Sequence, residues 1–178
     1  MDSTDPTAIK LQTNVNANND PTIQRMVGET MHKRIPFDVP FISEIEGNLW
    51  QGGCQNGLIL PHFFKHIISL YPWEAYRIKH EIKSALTVTM YDSLAQGTEQ
   101  VDAIAEWVYQ CQKDGPTLVH CQAGLNRSSL IAAKVLMKMG GEGRGYRSAE
   151  QAIQILRTKR SPAILCNQAF EDYLLKKK

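Results

Sequence analysis

From residue 46 onward, short apolar or alternating runs take turns with stretches in which apolar residues recur at helical spacing. The run 48–52 (Asn-Leu-Trp-Gln-Gly) predicts a short strand stopped by Gly52 and Gly53. Residues 65–71 predict a buried strand closed by Pro72, and the β-branched run 84–90 predicts another that feeds the loop 91–97. Thr98 is placed to cap a helix whose Val101, Ile104, Ala105, Val108 and Cys111 share one face, with Gly115 just past its end. Residues 117–120 form a strand short and apolar enough to be central. A helix over 128–139 follows, stopped by Gly140 and Gly141. Ser148 with Gln151 makes a capping-box start to a helix running to about Lys159, and Asn167 can cap a last helix bearing Phe170, Tyr173 and Leu174. Strands and helices in this order predict an α/β fold: a central, mainly parallel sheet flanked by helices. Loops that carry chemistry in such sheets lie at the carboxyl ends of the strands.

The start of the chain breaks this rhythm. Fourteen of the first 22 residues are Asp, Asn, Ser, Thr or Pro, among them Asn14, Asn16, Asn18 and Asn19, and no aromatic precedes Phe37. Such a segment buries too little apolar area to offset its chain entropy. Residues 1–41 are therefore expected to be a flexible or extended tail, with Pro36, Phe37, Pro40 and Phe41 lying extended on the surface of a compact unit over 42–178.

Composition narrows the classes of function. A chain of 178 residues, 43% hydrophobic, is the size of one globular domain. Twenty basic against 18 acidic side chains give a net charge of +2, without the clustered excess of a nucleic-acid binder. No apolar run approaches the roughly 18 residues of a membrane span, and the first ten residues lack the pattern of a secretory signal. Cys54, Cys111, Cys121 and Cys166 are too few and scattered for a disulfide scaffold, so a reducing, cytoplasmic location is expected.

One loop stands out. His120-Cys121-Gln122-Ala123-Gly124-Leu125-Asn126-Arg127-Ser128 joins a strand to a helix. The helix start points unpaired amides and the positive end of its dipole back at the loop. A loop curled around those amides is a nest for a tetrahedral oxyanion, and Gly124 permits the positive φ that curling needs. Arg127 adds a planar fork able to hold two phosphate oxygens. Thiols in such positive surroundings ionise more readily than free cysteine. The groups that bind phosphate would thus also aim the Cys121 nucleophile at phosphorus.

The pattern His-Cys-x-x-Gly-x-x-Arg-Ser resembles the signature of cysteine-dependent protein phosphatases, and the short domain resembles their dual-specificity branch. The similarity runs over roughly residues 46–175. It includes Gly47–Trp50, an Asp in a loop after a strand, the signature loop, and Pro162, Asn167, Phe170 and Leu174 in order. The resemblance implies phosphomonoester hydrolysis through a phosphocysteine intermediate, with no metal or other cofactor and with phosphorylated proteins as partners. It makes Cys121 the nucleophile. Arg127, with the amides of Gln122, Ala123, Gly124, Leu125 and Asn126, binds the phosphate. Ser128 stabilises the departing thiolate, His120 orders the loop, and Asp92, 29 residues before the cysteine, is the general acid.

Other assignments stay open. Gly124, Asn126 and Arg127 also match a Gly-x-Asn-Arg arrangement of cysteine-dependent RNA 5′-triphosphatases. A phosphate-binding pseudoenzyme and a rhodanese-type sulfurtransferase are further alternatives. Phosphoinositide phosphatases of this superfamily tend to carry lysines where this loop has Gln122, Ala123 and Leu125. Ser129 departs from the Gly, Ala or Pro common there. Cys54, in a Gly-rich loop, could protect Cys121 through a reversible disulfide, while Cys111 falls on an apolar helix face and packs in the core. Arg144, Arg147, Arg157, Lys159 and Arg160 could draw in phosphorylated substrate or be solvated helix charges, and Tyr71, Trp73 and Tyr76 could wall the substrate groove or pack in the core.

Overall fold

A computed structural model describes residues 4–13, 19–140 and 145–177. Its strands and helices follow the predicted alternation. A five-stranded sheet is built from β4 (Ile42–Glu46), β5 (Leu49–Gly52), β6 (His66–Ser69), β7 (Ser84–Thr87) and β8 (Thr117–His120), in the spatial order β4-β5-β8-β6-β7. β5, β8, β6 and β7 are parallel neighbours, and β4 joins β5 as an antiparallel hairpin at the edge. The sheet is therefore mixed but mainly parallel. β8, buried at every position, lies in the middle as its short apolar run predicted.

Among the described residues four helices flank the sheet: α1 (Val101–Asp114), α2 (Arg127–Gly140), α3 (Ala149–Lys159) and α4 (Gln168–Leu175). α2 packs on β5 and β8, with α1, α3 and α4 around it. Leu130, Ile131, Ala132, Ala133, Val135 and Leu136 are wholly buried, so α2 is apolar over most of its surface, as a central helix must be. The capping box of α3 forms in both directions, with Ser148 Oγ accepting from Gln151 N at 3.1 Å and Gln151 Oε1 accepting from Ser148 N at 2.9 Å. Asn167 caps α4. Thr98 does not cap α1. That helix starts after Gln100 without a side-chain cap, and only the Thr98 carbonyl takes part, accepting from Val101 N. The predicted strand over 84–90 pairs only as far as Thr87. Gly141, expected to stop α2, lies outside the described residues, as do Asn14, Asn16, Asn18 and Arg144.

The first 41 residues differ from a flexible tail. Their described part carries β1 (Leu11–Thr13), β2 (Arg25–Glu29) and β3 (Pro36–Pro40), an antiparallel sheet in the order β1-β2-β3. Only the extended character of residues 36–41 was anticipated. The entropy argument fails because it treats the segment as having to supply its own core. Met26, Phe37, Val39 and Phe41 alternate with exposed positions and bury themselves in the core that the other helices and strands provide. Backbone bonds from Phe41 N to Gln24 O and from Ile42 N to Pro21 O continue the attachment.

Candidate active site

The loop 121–126 leaves the carboxyl end of β8 and enters α2 at Arg127. Its shape follows from where its carbonyls go. Gln122 O accepts from Cys54 N at 3.0 Å and Leu125 O from Leu165 N at 2.8 Å. Ala123 O accepts from Arg160 Nη2 at 3.0 Å. Gly124 O accepts from Arg160 Nε at 2.8 Å and from Gln51 Nε2 at 2.6 Å. Four consecutive carbonyls are thus tied to partners outside the loop. In a trans peptide the C=O and the following N–H point in opposite directions, so the amides of residues 123–126 turn inward and line a cup. Gly124, at φ +69°, makes the curl possible. A Cβ on it would stand 2.4 Å from the Gly52 carbonyl carbon.

Cys121 lies at the base of the cup, its backbone N bonded to Gly52 O and its Sγ 3.2 Å from Ser128 Oγ. Gln51 Nε2 also reaches Ser128 Oγ at 2.7 Å and Ser129 Oγ at 3.1 Å, so the hydroxyl that departs from the family pattern has a partner in the neighbouring strand. His120 is buried behind the loop, its Nδ1 on Cys121 O at 3.2 Å and its ring edge-on to Tyr76. Burial, reinforced by the Arg127 charge, pulls its pKa down to about 4, so the ring is neutral at physiological pH.

Arg127 is 2% exposed. One arm, Nη1, donates to Asp5 Oδ2 at 2.7 Å and to Met90 O at 3.0 Å, while its buried Nε has no partner among the described residues. Burial disfavours the guanidinium charge, but Cys121, Asp5 and Asp92 outweigh it and raise the pKa above the ordinary arginine value. Tyr71 lies with its ring 5.3 Å from the guanidinium and next to Trp73, which in turn contacts Tyr91.

Asp92, Cys121, Asn126 and Arg127 line one cavity. The Asp92 carboxylate is held by Asn126 Nδ2 on Oδ2 at 2.9 Å and by Asn167 Nδ2 on Oδ1 at 2.9 Å, with His32 Nε2 at 3.1 Å from Oδ1. Asn126 therefore faces the acid, and its Oδ1 also accepts from Asn167 N.

Several members of the site were not found in the sequence. Arg160 is neither a substrate lure nor a solvated helix charge. It is instead buried behind the loop, while Arg147 pairs with Glu46, and Arg157 with Glu171. Gln51, His32 and Asp5 were not singled out at all. Gln51 carried a weak signal, as a polar residue in a short buried strand just before two glycines. Cys54 is buried, free, and bonded to the loop through its backbone; burial raises its thiol pKa, with Glu74 and Cys121 adding to the effect.

A buried cysteine in a ring of inward amides, closed by an arginine at a helix start on an α/β sheet, is an arrangement able to hold an oxyanion beside a thiol. Residues 61–178, more than half of the chain, match the family model for the dual specificity phosphatase catalytic domain, and the chain belongs to that family. It is 35% identical over 97 residues to the MAP kinase phosphatase with leucine-rich repeats protein 3 of Dictyostelium discoideum, a match covering 54% of this chain and 10% of that protein. It is 26% identical over 120 residues to a dual specificity protein phosphatase H1 homolog of Fowlpox virus, covering 65% of this chain and 72% of that one. In fold it resembles human DUSP28, with a TM-score of 0.64 at 17% identity over 77% of this chain and 92% of that one. It also resembles the human tyrosine phosphatase-like serine/threonine/tyrosine-interacting protein, with a TM-score of 0.61 at 20% identity over 76% and 93%. No described helix is long and apolar enough to cross a membrane.

Proposed function

We propose that this protein hydrolyses phosphate monoesters on phosphotyrosine and phosphoserine or phosphothreonine side chains of proteins, through a cysteinyl-phosphate intermediate. The observation that carries this reading is the outward tethering of the carbonyls of residues 122–125, which turns the loop amides onto the space above Cys121. Such preorganised donors favour the charge that develops on a transferring phosphoryl group without reorganising during the reaction.

Cys121 Sγ attacks phosphorus in line with the ester oxygen, which leaves as the phosphorus–oxygen bond breaks and takes a proton from Asp92. Asp92, now a carboxylate, removes a proton from water. The resulting oxygen nucleophile attacks the phosphocysteine, inorganic phosphate forms, and the sulfur departs as thiolate. Ser128 Oγ, 3.2 Å from that sulfur, is placed to donate a hydrogen bond to the departing thiolate. Arg127 holds two phosphate oxygens, and its unpartnered Nε supplies a donor for one of them. His120, neutral and buried, orders the loop rather than carrying protons.

Asn126, the residue that suggested an RNA 5′-triphosphatase, is engaged with Asp92 and Asn167 and needs no RNA to account for it. The presence of Cys121, Arg127, Ser128 and Asp92 together supports turnover over a binding-only role. Four free cysteines fit a cytoplasmic, reducing location. The test is a turnover panel of phosphotyrosine and phosphothreonine peptides, phosphoinositides and 5′-triphosphorylated RNA, with Cys121→Ser as the blank. Cys121-dependent release of phosphate from the peptides is expected. Turnover confined to RNA or phosphoinositides, or none at all, would overturn the proposal.

A further inference from the structure

The N-terminal segment of the chain reaches the phosphate cup, where Ile9 lines the cavity over Cys121 and Asp5 meets Arg127. The Asp5 side chain is wholly buried, and its Oδ2 lies 2.7 Å from Arg127 Nη1. The other oxygen, Oδ1, accepts from Thr7 N at 2.8 Å and from Thr7 Oγ1 at 2.7 Å, a local turn that aims the carboxylate at the guanidinium. Thr7 Oγ1 in turn accepts from the backbone N of Asp92 at 2.9 Å. Two residues on, Gln122 clamps the backbone of Ile9 at both ends, its Oε1 accepting from Ile9 N at 2.9 Å and its Nε2 donating to Ile9 O at 2.8 Å. Past Ile9 the chain enters β1 and is anchored through β2. With Ile9 in its wall, the cavity over Cys121 keeps about 10 Å³, room for a single water at most and too little for a phosphate ester.

We propose that residues 5–9 act as an intramolecular pseudosubstrate, with the Asp5 carboxylate standing where the substrate phosphate binds and the segment displaced when a phosphopeptide enters. A carboxylate is a suitable inert occupant, since it offers negative charge to Arg127 but no phosphorus for Cys121 to attack. It is also displaceable. It engages one arm of Arg127 and leaves Nε unpartnered, whereas a phosphate with three oxygens and about −1.5 to −2 charge can satisfy both. The Gln122 clamp reads only main-chain atoms, so it is available to the extended backbone of any peptide whose phosphorylated side chain fills the cup. The substrate class this points to is an extended phosphopeptide, gripped by Gln122 about four residues from the phosphate.

This inference rests on the phosphatase reading, and the test separates the two. The 178-residue wild type, Asp5→Ala and Asp5→Asn are compared for hydrolysis of para-nitrophenyl phosphate. The same changes in a Cys121→Ser background are compared for binding of inorganic phosphate by calorimetry. Glu29→Gln, which removes the same charge from an exposed strand position, is the control. If the closed state holds roughly 90–99% of molecules, apparent affinity is weakened by roughly 10- to 100-fold. The Asp5 variants should therefore lower KM and the phosphate Kd by about tenfold or more with little change in kcat, and Glu29→Gln should change neither. An effect of Asp5→Ala and Asp5→Asn below about threefold, or one matched by Glu29→Gln, would overturn the inference. Because phosphate binding is read without turnover, a protein that hydrolyses nothing would sink the phosphatase reading while the binding arm still decides this one.

Discussion

Replacing Arg160 by Met tests whether the loop is shaped from behind. The guanidinium donates five hydrogen bonds: to the carbonyls of Ala123 and Gly124 in the loop, to those of Pro40 and Phe41, and to Ser43 Oγ. Hydrogen bonds to a charged group contribute about 1.5–3 kcal/mol each, and buried acceptors left empty cost about 1–3 kcal/mol. Against this stands the burial of the charge, which depresses the arginine pKa to about 10 and offsets the gain by about 3 kcal/mol. The net loss in Arg160→Met should then be roughly 3–5 kcal/mol, the range found when one member of a buried ionic network is removed. For a domain of this size that is a fall in Tm of about 10 °C. The methionine also leaves Ala123 O free to turn inward, so kcat/KM for para-nitrophenyl phosphate should fall with the Tm. Arg160→Lys should recover little, because one ammonium cannot span carbonyls on both sides of it. The assay pairs thermal unfolding by circular dichroism with turnover below the transition. A methionine variant melting within about 2 °C of wild type with full activity would refute the bracing of the loop by Arg160.

The other predictions concern the pH profile, the acid and cofactor dependence. His120 has a folded-state pKa of about 4 against an ordinary 6.5, so its unfolded form takes up a proton first as pH falls. Stability should be full above about pH 6.5 and decline by about 3 kcal/mol down to pH 4; urea midpoints across that range should show the slope, and His120→Gln should flatten it. Asp92→Asn should lower kcat by about 10²–10⁴, with phosphate Kd in a Cys121→Ser background nearly unchanged; a near-normal rate would place the acid elsewhere. Turnover should survive dialysis against EDTA, and a loss restored by a divalent cation would contradict the metal-free mechanism.

What could be read from the sequence was what lies close together in it. The loop from His120 to Ser128 is contiguous, so its charge, its glycine and its helix start were visible at once. The strand and helix alternation was legible for a related reason, since period and capping are local properties; Ser148 with Gln151 and Asn167 each act within one turn. The bracing of the loop was not legible. Arg160 reaches Gly124 from 36 residues away and Asp5 reaches Arg127 from 122 away, and neither has a local pattern that announces it. The N-terminal strands escaped because a few apolar residues among many polar ones suffice when the core they join already exists. Asn126 shows a subtler limit: its residue type suggested a substrate, while its contacts assign it to holding Asp92.

If the proposed chemistry operates, phosphorus becomes bonded to the sulfur of Cys121 during turnover. Rapid acid quench of the enzyme with para-nitrophenyl phosphate, followed by peptide mass spectrometry, tests it directly. One phosphoryl group is expected on the peptide containing Cys121, absent in Cys121→Ser and accumulating further when Asp92→Asn slows hydrolysis of the intermediate. Phosphate released at full rate with no phosphoryl group on that peptide, or with the group on another residue, would contradict it.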